Sequence, residues 1–253
     1  MKVQVLASGS KGNCTYIETK NSKVLIDVGI SYQRIKEELS KINVDVNSIN
    51  AILISHIHKD HISGLSSLIK RVNIPVFIKT ELKSELVNIN ELMELQIVDE
   101  KFYINDTLVE IINASHDVPA YGFILDDGTT SLVYLTDTGY INRKYYELTK
   151  NKNIYIIESN HDEKMLMEGK YPYILKQRVI SDKGHLSNRY TGKYLSKTIG
   201  EDTKYIVLAH LSEHNNTPEL ALEQVKEELK ECNFDFKNIL IAKQYEETEL
   251  IEV

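Results

Sequence analysis

The stretch "ILISHIHKDHISG", residues 52–64, places three histidines and an aspartate within six positions, directly after an apolar run. These residues are His56, His58, Asp60 and His61. Chance would produce such a histidine pattern in fewer than about one chain in a hundred of this composition. Imidazole and carboxylate ligands suit zinc or manganese, and a turn after a rigid strand can aim several of them at one point. The stretch therefore indicates a metal site, with a polar loop satisfied by backbone hydrogen bonds as the alternative.

Length and composition are those of an ordinary globular protein. The chain has 253 residues, of which 42% are hydrophobic and 26% charged, so we expect one domain over residues 1–253. No apolar run is long enough to cross a bilayer, and the start, "MKVQVLASGSKGN", suits a first strand better than a signal peptide. We therefore expect a cytoplasmic protein without membrane partners. The oligomeric state stays open, with a homodimer as one option.

Charge is distributed unevenly along the chain. The formal net charge is −7, which argues against a protein that coats nucleic acid through its overall field. Residues 164–197 nevertheless carry eight basic and two acidic residues, so this basic segment is +6 and the remainder is −13. Tyr171, Tyr173, Tyr190 and Tyr194 lie within it. The pattern is typical of a surface that tracks phosphates and stacks bases, although a solvated helical face is an equally good interpretation.

The order of elements predicts a mixed α/β fold. Residues 2–8, 14–19 and 23–29 are short β-branched runs that predict a meander of three strands. A helix is expected at 31–42 with Ser31 as N-cap, and a buried strand at 51–55. Further strands are predicted at 108–113, 121–126, 131–137, 154–159 and 204–210, and a helix at 217–231 with Thr217 as N-cap. Several predicted strands stop at a residue able to bind metal or move protons, namely Asp27, His56, Asp137, Glu158 and His210.

The cluster "HIHKDH" resembles the HxHxDH signature of the metallo-β-lactamase fold, a four-layer αβ/βα sandwich of hydrolases. The resemblance implies two divalent metals, zinc or manganese, held side by side. It assigns His56 and His58 to the first metal and Asp60 and His61 to the second, with a catalytic role for Asp60 as well. It implies three further ligands from later strands, namely His116, Asp137 as the bridging carboxylate, and His210. It also implies that Asp27 does not bind metal itself but supports the loop that carries the ligands and fixes the orientation of a histidine.

Two metals of this kind activate water and clamp a phosphoryl group, so hydrolysis follows, but the substrate is left open. Phosphodiester cleavage needs a proton for the leaving alkoxide, and a histidine oriented by a carboxylate can supply it. We expect His185 to be this acid, held by Glu158, and we count His161 as a further catalytic candidate. The alternative is that His185 merely caps a helix around residues 189–199. His214 is expected to be an ordinary surface residue.

Longer segments extend the resemblance over essentially the whole chain. "LASGSKGNCTYIE", "HIHKDHISGL", "ESNHD", "KGHLSN" and "LAHLSEHNNTPELAL" are all similar to the YycJ/WalJ-type proteins, also called VicX. This branch is related to the tRNA 3′-processing nucleases and to RNase J. It implies a metal-dependent 5′→3′ exonuclease acting on DNA in a repair context, with catalytic roles for Glu158 and His185. DNA ends, or a nucleotide, are then the expected partner.

Two other functions stay open at this point. A phosphodiesterase for small cyclic nucleotides would use the same metals and the same His185. A binding or regulatory protein with a vestigial site belongs to a different class, and the intact ligand set disfavours it. Lactamase and thioesterase activities are disfavoured by the additional Glu158 and His185 and by the basic segment.

Overall fold

The computed structural model describes residues 1–87, 94–232 and 234–253. The strands are β1 Lys2–Ala7, β2 Cys14–Glu18, β3 Lys23–Ile26, β4 Ala51–Leu53, β5 Val76–Ile78, β6 Leu95–Ile97, β7 Lys101–Ile104, β8 Thr107–Ala114, β9 Ala120–Asp126, β10 Ser131–Leu135, β11 Ile154–Glu158, β12 Tyr205–Ala209, β13 Ile239–Ile241 and β14 Ile251–Glu252. The α-helices are α1 Tyr32–Lys41, α2 Lys59–Ile62, α3 Leu65–Ile69, α4 Lys83–Val87, α5 Tyr146–Thr149, α6 Glu163–Glu168, α7 Tyr173–Ile180, α8 Asn188–Thr198 and α9 Pro218–Glu231.

The strands form two seven-stranded sheets, ordered β14-β1-β2-β3-β4-β5-β6 and β13-β12-β11-β10-β9-β8-β7. The chain also divides into two compact units, and each is described by itself. Unit 1 comprises Met1–Ile111, Leu125–Thr129 and Lys243–Val253, and unit 2 comprises Ile112–Ile124 and Thr130–Ala242. Within the described residues, every helix is too short or too polar to traverse a lipid bilayer.

Unit 1 contains the predicted meander followed by parallel strands. β1, β2 and β3 pair antiparallel, and β3, β4 and β5 pair parallel. All three residues of β4 are buried, as expected for a short apolar run covered on both faces. The predicted helix at 31–42 is confirmed as α1, and the Ser31 side chain accepts a hydrogen bond from the Arg34 amide at 3.3 Å.

Unit 2 is built on the parallel strands β10, β11, β12 and β13. Their apolar side chains form one buried cluster with residues of α8 and α9, including Tyr155, Tyr194 and Val225. The predicted helix at 217–231 is confirmed as α9, with Thr217 accepting from the Leu220 amide. Because β10, β11 and β12 run in the same direction, their carboxyl ends meet at one edge, where Asp137, Glu158 and His210 lie.

The structure differs from the predicted elements mainly at their ends. The strands predicted at 23–29, 51–55 and 131–137 stop two or three residues early, because the polar residues that follow turn away from the ladders. The segment after His58 forms two short helices, α2 and α3, with a break at Gly64. A Cβ at Gly64 would lie 1.8 Å from the Ile30 carbonyl oxygen, so only glycine fits this close approach. The short outer strands β6, β7, β13 and β14 were not predicted.

Candidate metal and catalytic site

In unit 1, the loop after β4 carries the four clustered candidates. His56 and His61 are fully buried, while His58 and Asp60 are half-buried. His56 Nε2 lies 3.2 Å from His58 Nδ1, and His61 Nε2 lies 3.5 Å from Asp60 Oδ2. The rings of His56 and His61 have centroids 4.0 Å apart. The structure thus gathers the four candidates of unit 1 into one cluster of nitrogen and oxygen donors.

The Asp27 carboxylate supports the loop after β4 through its contacts with Ser55 and His61, in the role that the resemblance implies. It directly follows β3 and is fully buried. One carboxylate oxygen accepts from the Ser55 amide at 2.8 Å, and the other accepts from Ser55 Oγ at 2.7 Å and lies 2.7 Å from His61 Nδ1. A carboxylate only accepts, so His61 Nδ1 carries the proton and His61 Nε2 keeps its lone pair. In the structure His61 Nε2 lies 2.9 Å from Asn13 Nδ2, so it accepts a hydrogen bond from that amide, and a metal ion would take the place of this donor.

In unit 2, four candidates form a second cluster, which we call the Glu158 cluster: Asp137, Glu158, His185 and His210. One donor atom from each of these residues lies within 4.8 Å of those of the other three. Glu158 is fully buried, and its Oε1 lies 2.7 Å from His185 Nδ1 and 2.9 Å from His210 Nδ1. Its Oε2 accepts from the backbone amides of Thr138 and Leu186. The carboxylate therefore orients two imidazoles at once, and sequence reasoning had linked it only to His185.

The electrostatics of the Glu158 cluster follow from this arrangement. Burial would raise the pKa of Glu158, but the charge of His185 and hydrogen bonds from His185 and His210 outweigh it and lower the pKa to about 2. Burial would lower the pKa of His185, but the charge of Glu158 and the hydrogen bond to it prevail, so this pKa is raised. Glu158 is thus an anion that favours a protonated His185.

Two further histidine candidates of unit 2, His116 and His161, lie in different surroundings. His116 is buried, its Nδ1 is 3.3 Å from the Gly184 carbonyl oxygen, and its ring is 5.3 Å from that of His185. Burial lowers the pKa of His116, which favours the neutral form that binds metals. His161 is 2% exposed, and its Nδ1 has no hydrogen-bond partner among the described residues. Burial lowers the pKa of His161 to about 4.

The "HLSN" and "NNTPE" segments have a structural role that sequence reasoning missed. The side-chain amides of Asn188 and Asn216 donate to each other at 2.9 and 2.8 Å. Asn216 also donates to the Ser159 carbonyl oxygen, directly after Glu158, and Ser159 Oγ donates to Asn188. These side chains are buried, and a satisfied buried network holds the end of β11 rigidly. The asparagines in these two motifs were the signal in the sequence that could have revealed this network.

The alternative role for His185, as a helix cap, is wrong. α8 begins at Asn188, and its N-cap is Ser187, whose side chain accepts from the Tyr190 amide. His185 lies two residues before the cap and turns its Nδ1 toward Glu158.

The basic segment is only partly the surface that its sequence predicts. Tyr173 and Tyr190 are 69% and 59% exposed, as expected for groups that stack on bases. Tyr194 is 2% exposed and belongs to the hydrophobic core, so its assignment to a stacking surface is wrong. The helical period carries it to the inner face of α8. Two of the cations form ion pairs with carboxylates outside the segment, Arg178 with Asp117 and Arg189 with Glu228.

Three candidates adopt a left-handed backbone conformation that most residues avoid. The φ angles of Asp27, Asp137 and His210 are 60°, 53° and 55°. In the described part of the chain, the other non-glycine residues with positive φ are all asparagines. Such conformations cost free energy and cluster at functional sites, and each of these residues directly or nearly follows a strand. The tight turn aims the side chain away from the strand direction.

The donor atoms of both clusters fit a metal ion. Two ligands of a tetrahedral zinc ion, each about 2.0–2.1 Å from the metal, are separated by about 3.3 Å. His56 Nε2 and His58 Nδ1 are 3.2 Å apart in unit 1, and His210 Nε2 and Asp137 Oδ1 are 3.5 Å apart in unit 2. Imidazole and carboxylate donors at this spacing are suited to a divalent cation.

Comparisons with known proteins agree with this chemistry. A family model described as a β-lactamase superfamily domain matches residues 22–210. Exodeoxyribonuclease WalJ of Streptococcus pneumoniae is 36% identical over 93% of this chain and 92% of its own length. Exodeoxyribonuclease YycJ of Bacillus anthracis is 34% identical over 91% of this chain and 89% of its own length.

A solved structure supports the fold. The metallo-β-lactamase fold protein YhfI from Bacillus subtilis matches with a TM-score of 0.73 at 16% identity, over 98% of each chain. The predicted α/β fold class is therefore confirmed as the metallo-β-lactamase fold. The chain belongs to the β-lactamase superfamily and, within it, to the family of the exodeoxyribonucleases WalJ and YycJ.

Proposed function

We propose that this protein is a metal-dependent exodeoxyribonuclease that removes nucleotides from DNA ends in the 5′→3′ direction, in a repair context. The exodeoxyribonuclease relatives match more than nine-tenths of the chain, which supports the substrate class. The observation that carries the chemistry is the hydrogen bond between Glu158 and His185, at 2.7 Å. Phosphodiester cleavage uses such a pair, because the leaving alkoxide must be protonated.

The chain's own residues supply the proton for the leaving group. Water attacks phosphorus and releases one proton to solvent, while the bond from phosphorus to the 3′ oxygen of the terminal nucleotide breaks. That oxygen takes a proton from His185, which regains one from solvent. Glu158 holds His185 at Nδ1, so Nε2 is the atom that gives the proton. The buried anionic Glu158 stabilises the imidazolium before transfer. His185 is half-buried and reachable, as an acid that meets a polymer must be.

We further propose that the protein holds two divalent ions, zinc or manganese. The proposed ligands are His56, His58, Asp60 and His61 from unit 1 and His116, Asp137 and His210 from unit 2. Bound ions would activate the attacking water and neutralise charge on the phosphoryl oxygens. Asp60 keeps its proposed second, catalytic role. Glu158 fixes His210 through Nδ1, which leaves Nε2 as its ligand atom.

The experiment that tests this function compares four substrates in parallel. The protein, loaded with Zn²⁺ or Mn²⁺, is incubated with labelled duplex DNA, single-stranded DNA, RNA and cyclic nucleotides, with a chelator as control. We expect release of mononucleotides from DNA 5′ ends. The rate should fall steeply with added salt, because a protein that binds DNA phosphates releases the counterions bound to them, and salt opposes that release. Hydrolysis of cyclic nucleotides alone would overturn the exonuclease. We also propose that the protein acts in the cytoplasm, in keeping with a DNA substrate.

A further inference from the structure

Unit 2 has a cavity of about 560 Å³ beside the proposed acid. Its volume falls in the range of about 300–1,000 Å³ that is typical of pockets for small molecules. His185 and His161 both line it, and four tyrosine side chains contribute to its walls: Tyr140, Tyr146, Tyr190 and Tyr194. The cavity therefore places the proposed acid, His185, beside aromatic walls. The chemistry proposed above uses none of the other lining residues.

The walls suit a flat aromatic group. Tyr146 packs edge to face on the buried Tyr194, with ring centroids 5.3 Å apart, so this side of the cavity is rigid. Tyr190 stands at the mouth, 59% exposed, with Lys193 Nζ 5.5 Å from its ring centroid. Aromatic side chains stack on any nucleobase, because every base has a π face.

Away from His185, the charges of the cavity disfavour a phosphate. Of the described residues that line it, none is a lysine or an arginine, whereas Glu163 and Asp182 carry carboxylates. A phosphate placed beside these two carboxylates would meet like charge. A neutral group with N–H donors is favoured instead, since Glu163 Oε1 already accepts from Ser187 Oγ and can accept from other donors.

We propose that this cavity binds the base of the 5′-terminal nucleotide, stacked against Tyr190. The proposal rests on the proposed function, because it takes the leaving oxygen near His185 to be the 3′ oxygen of that nucleotide. The base attached to the same sugar then lies within reach of the cavity. The enzyme thereby holds the nucleotide that it releases, and His161 contributes to the wall of the same cavity.

The test compares substrates with and without the 5′-terminal base, and proteins with and without the aromatic ring of Tyr190. Initial kcat/KM is measured for two duplexes that differ only in the 5′-terminal nucleotide, one normal and one with a tetrahydrofuran in place of the nucleoside. For the native protein we expect the normal end to react about tenfold faster or more. Tyr190→Ala should bring the ratio close to one, whereas the matched control Tyr190→Phe, which keeps the ring, should preserve it. Tyr190 is exposed in the first turn of α8, so neither substitution disturbs the core.

A binding measurement separates this proposal from the proposed function. Calorimetry compares thymidine 5′-monophosphate with deoxyribose 5-phosphate on native protein and on Tyr190→Ala. We expect the base to strengthen binding to the native protein only. Equal rates on the two DNA ends, or a ratio unchanged in Tyr190→Ala, would overturn the base site while leaving the exonuclease intact. Base-dependent binding without any DNA hydrolysis would overturn the exonuclease and leave the base site standing.

Discussion

One carboxylate oxygen of Glu158 lies within hydrogen-bond distance of both His185 and His210. At the level of single residues, substitutions of His185 and of Glu158 should therefore have different effects. His185 receives only orientation and charge from Glu158, whereas His210 is a proposed metal ligand. Removing His185 should therefore affect the reaction alone. Altering Glu158 should affect both the reaction and the metal.

We predict that His185→Ala lowers kcat by about 10²–10⁴-fold and retains its metal, because only the general acid is lost. Glu158→Gln should lower kcat and also weaken metal affinity by about 10–100-fold, since His210 loses its anionic support. Steady-state kinetics and elemental analysis of the dialysed proteins measure both. Loss of metal from His185→Ala would instead make His185 a ligand.

The buried His161 predicts a stability change with pH. Its pKa is about 4 in the folded protein against 6.5 ordinarily, so the unfolded chain binds its proton first as pH falls. Its contribution is complete above pH 6.5 and is lost as the pH falls from 6.5 to 4. Between pH 7 and pH 5 the native protein should lose about 2 kcal/mol more stability than His161→Gln, which cannot be protonated. Urea unfolding of both proteins with chelator present measures this, and equal losses would contradict a neutral His161.

At the level of elements, sequence patterns identified most strands and helices, because the spacing of apolar residues that predicts each element lies within that element. The N-caps Ser31 and Thr217 were predictable for the same reason. Strand ends were placed too late because the sequence does not reveal where Asp27 or Asp137 takes a left-handed turn. The shared role of Glu158 was also hidden, since it depends on β11 and β12 being neighbours in the sheet. Tyr194 was misplaced because its neighbours in sequence are basic.

The end of α1 offers a test of such a left-handed position outside the site. Asn43 has φ 59°, and the Val44 and Asn43 amides donate to the carbonyl oxygens of Leu39 and Ser40, which is a Schellman motif. Asn43→Ala should destabilise the protein by about 1 kcal/mol, because a Cβ without a polar partner opposes this conformation. Asn43→Gly should equal or exceed the native stability. Chemical denaturation of the three proteins measures this, and an unaltered Asn43→Ala would contradict it.

At the level of the whole molecule, the fold was predictable from one motif and its placement after a strand, because few architectures put HxHxDH there. One domain over residues 1–253 stays a prediction, because the chain divides into two compact units. A single cooperative unfolding transition is the expected sign of one domain. Two separate transitions in calorimetry would contradict it.

We predict that metal binding stabilises the folded chain, because folding brings the proposed ligands within each unit close together. With free metal at about 100 times the dissociation constant, one site contributes about 2.7 kcal/mol, and Tm should rise by about 5–10 °C over the chelated protein. Differential scanning calorimetry measures the change. The double variant His56→Ala/His58→Ala is the control, and its Tm should respond less. An unchanged Tm in native protein whose metal removal is verified would count against the ligand assignment.

The left-handed residues Asp27, Asp137 and His210 have a consequence for engineering. Each occupies a conformation that glycine adopts without penalty, at a cost of about 1–3 kcal/mol for other residues. A redesign that ranks substitutions by folding free energy alone would therefore favour glycine at three positions whose side chains the proposed site requires. Stabilised versions of this enzyme should be sought at Asn43 or on exposed helix faces, with these turns kept fixed.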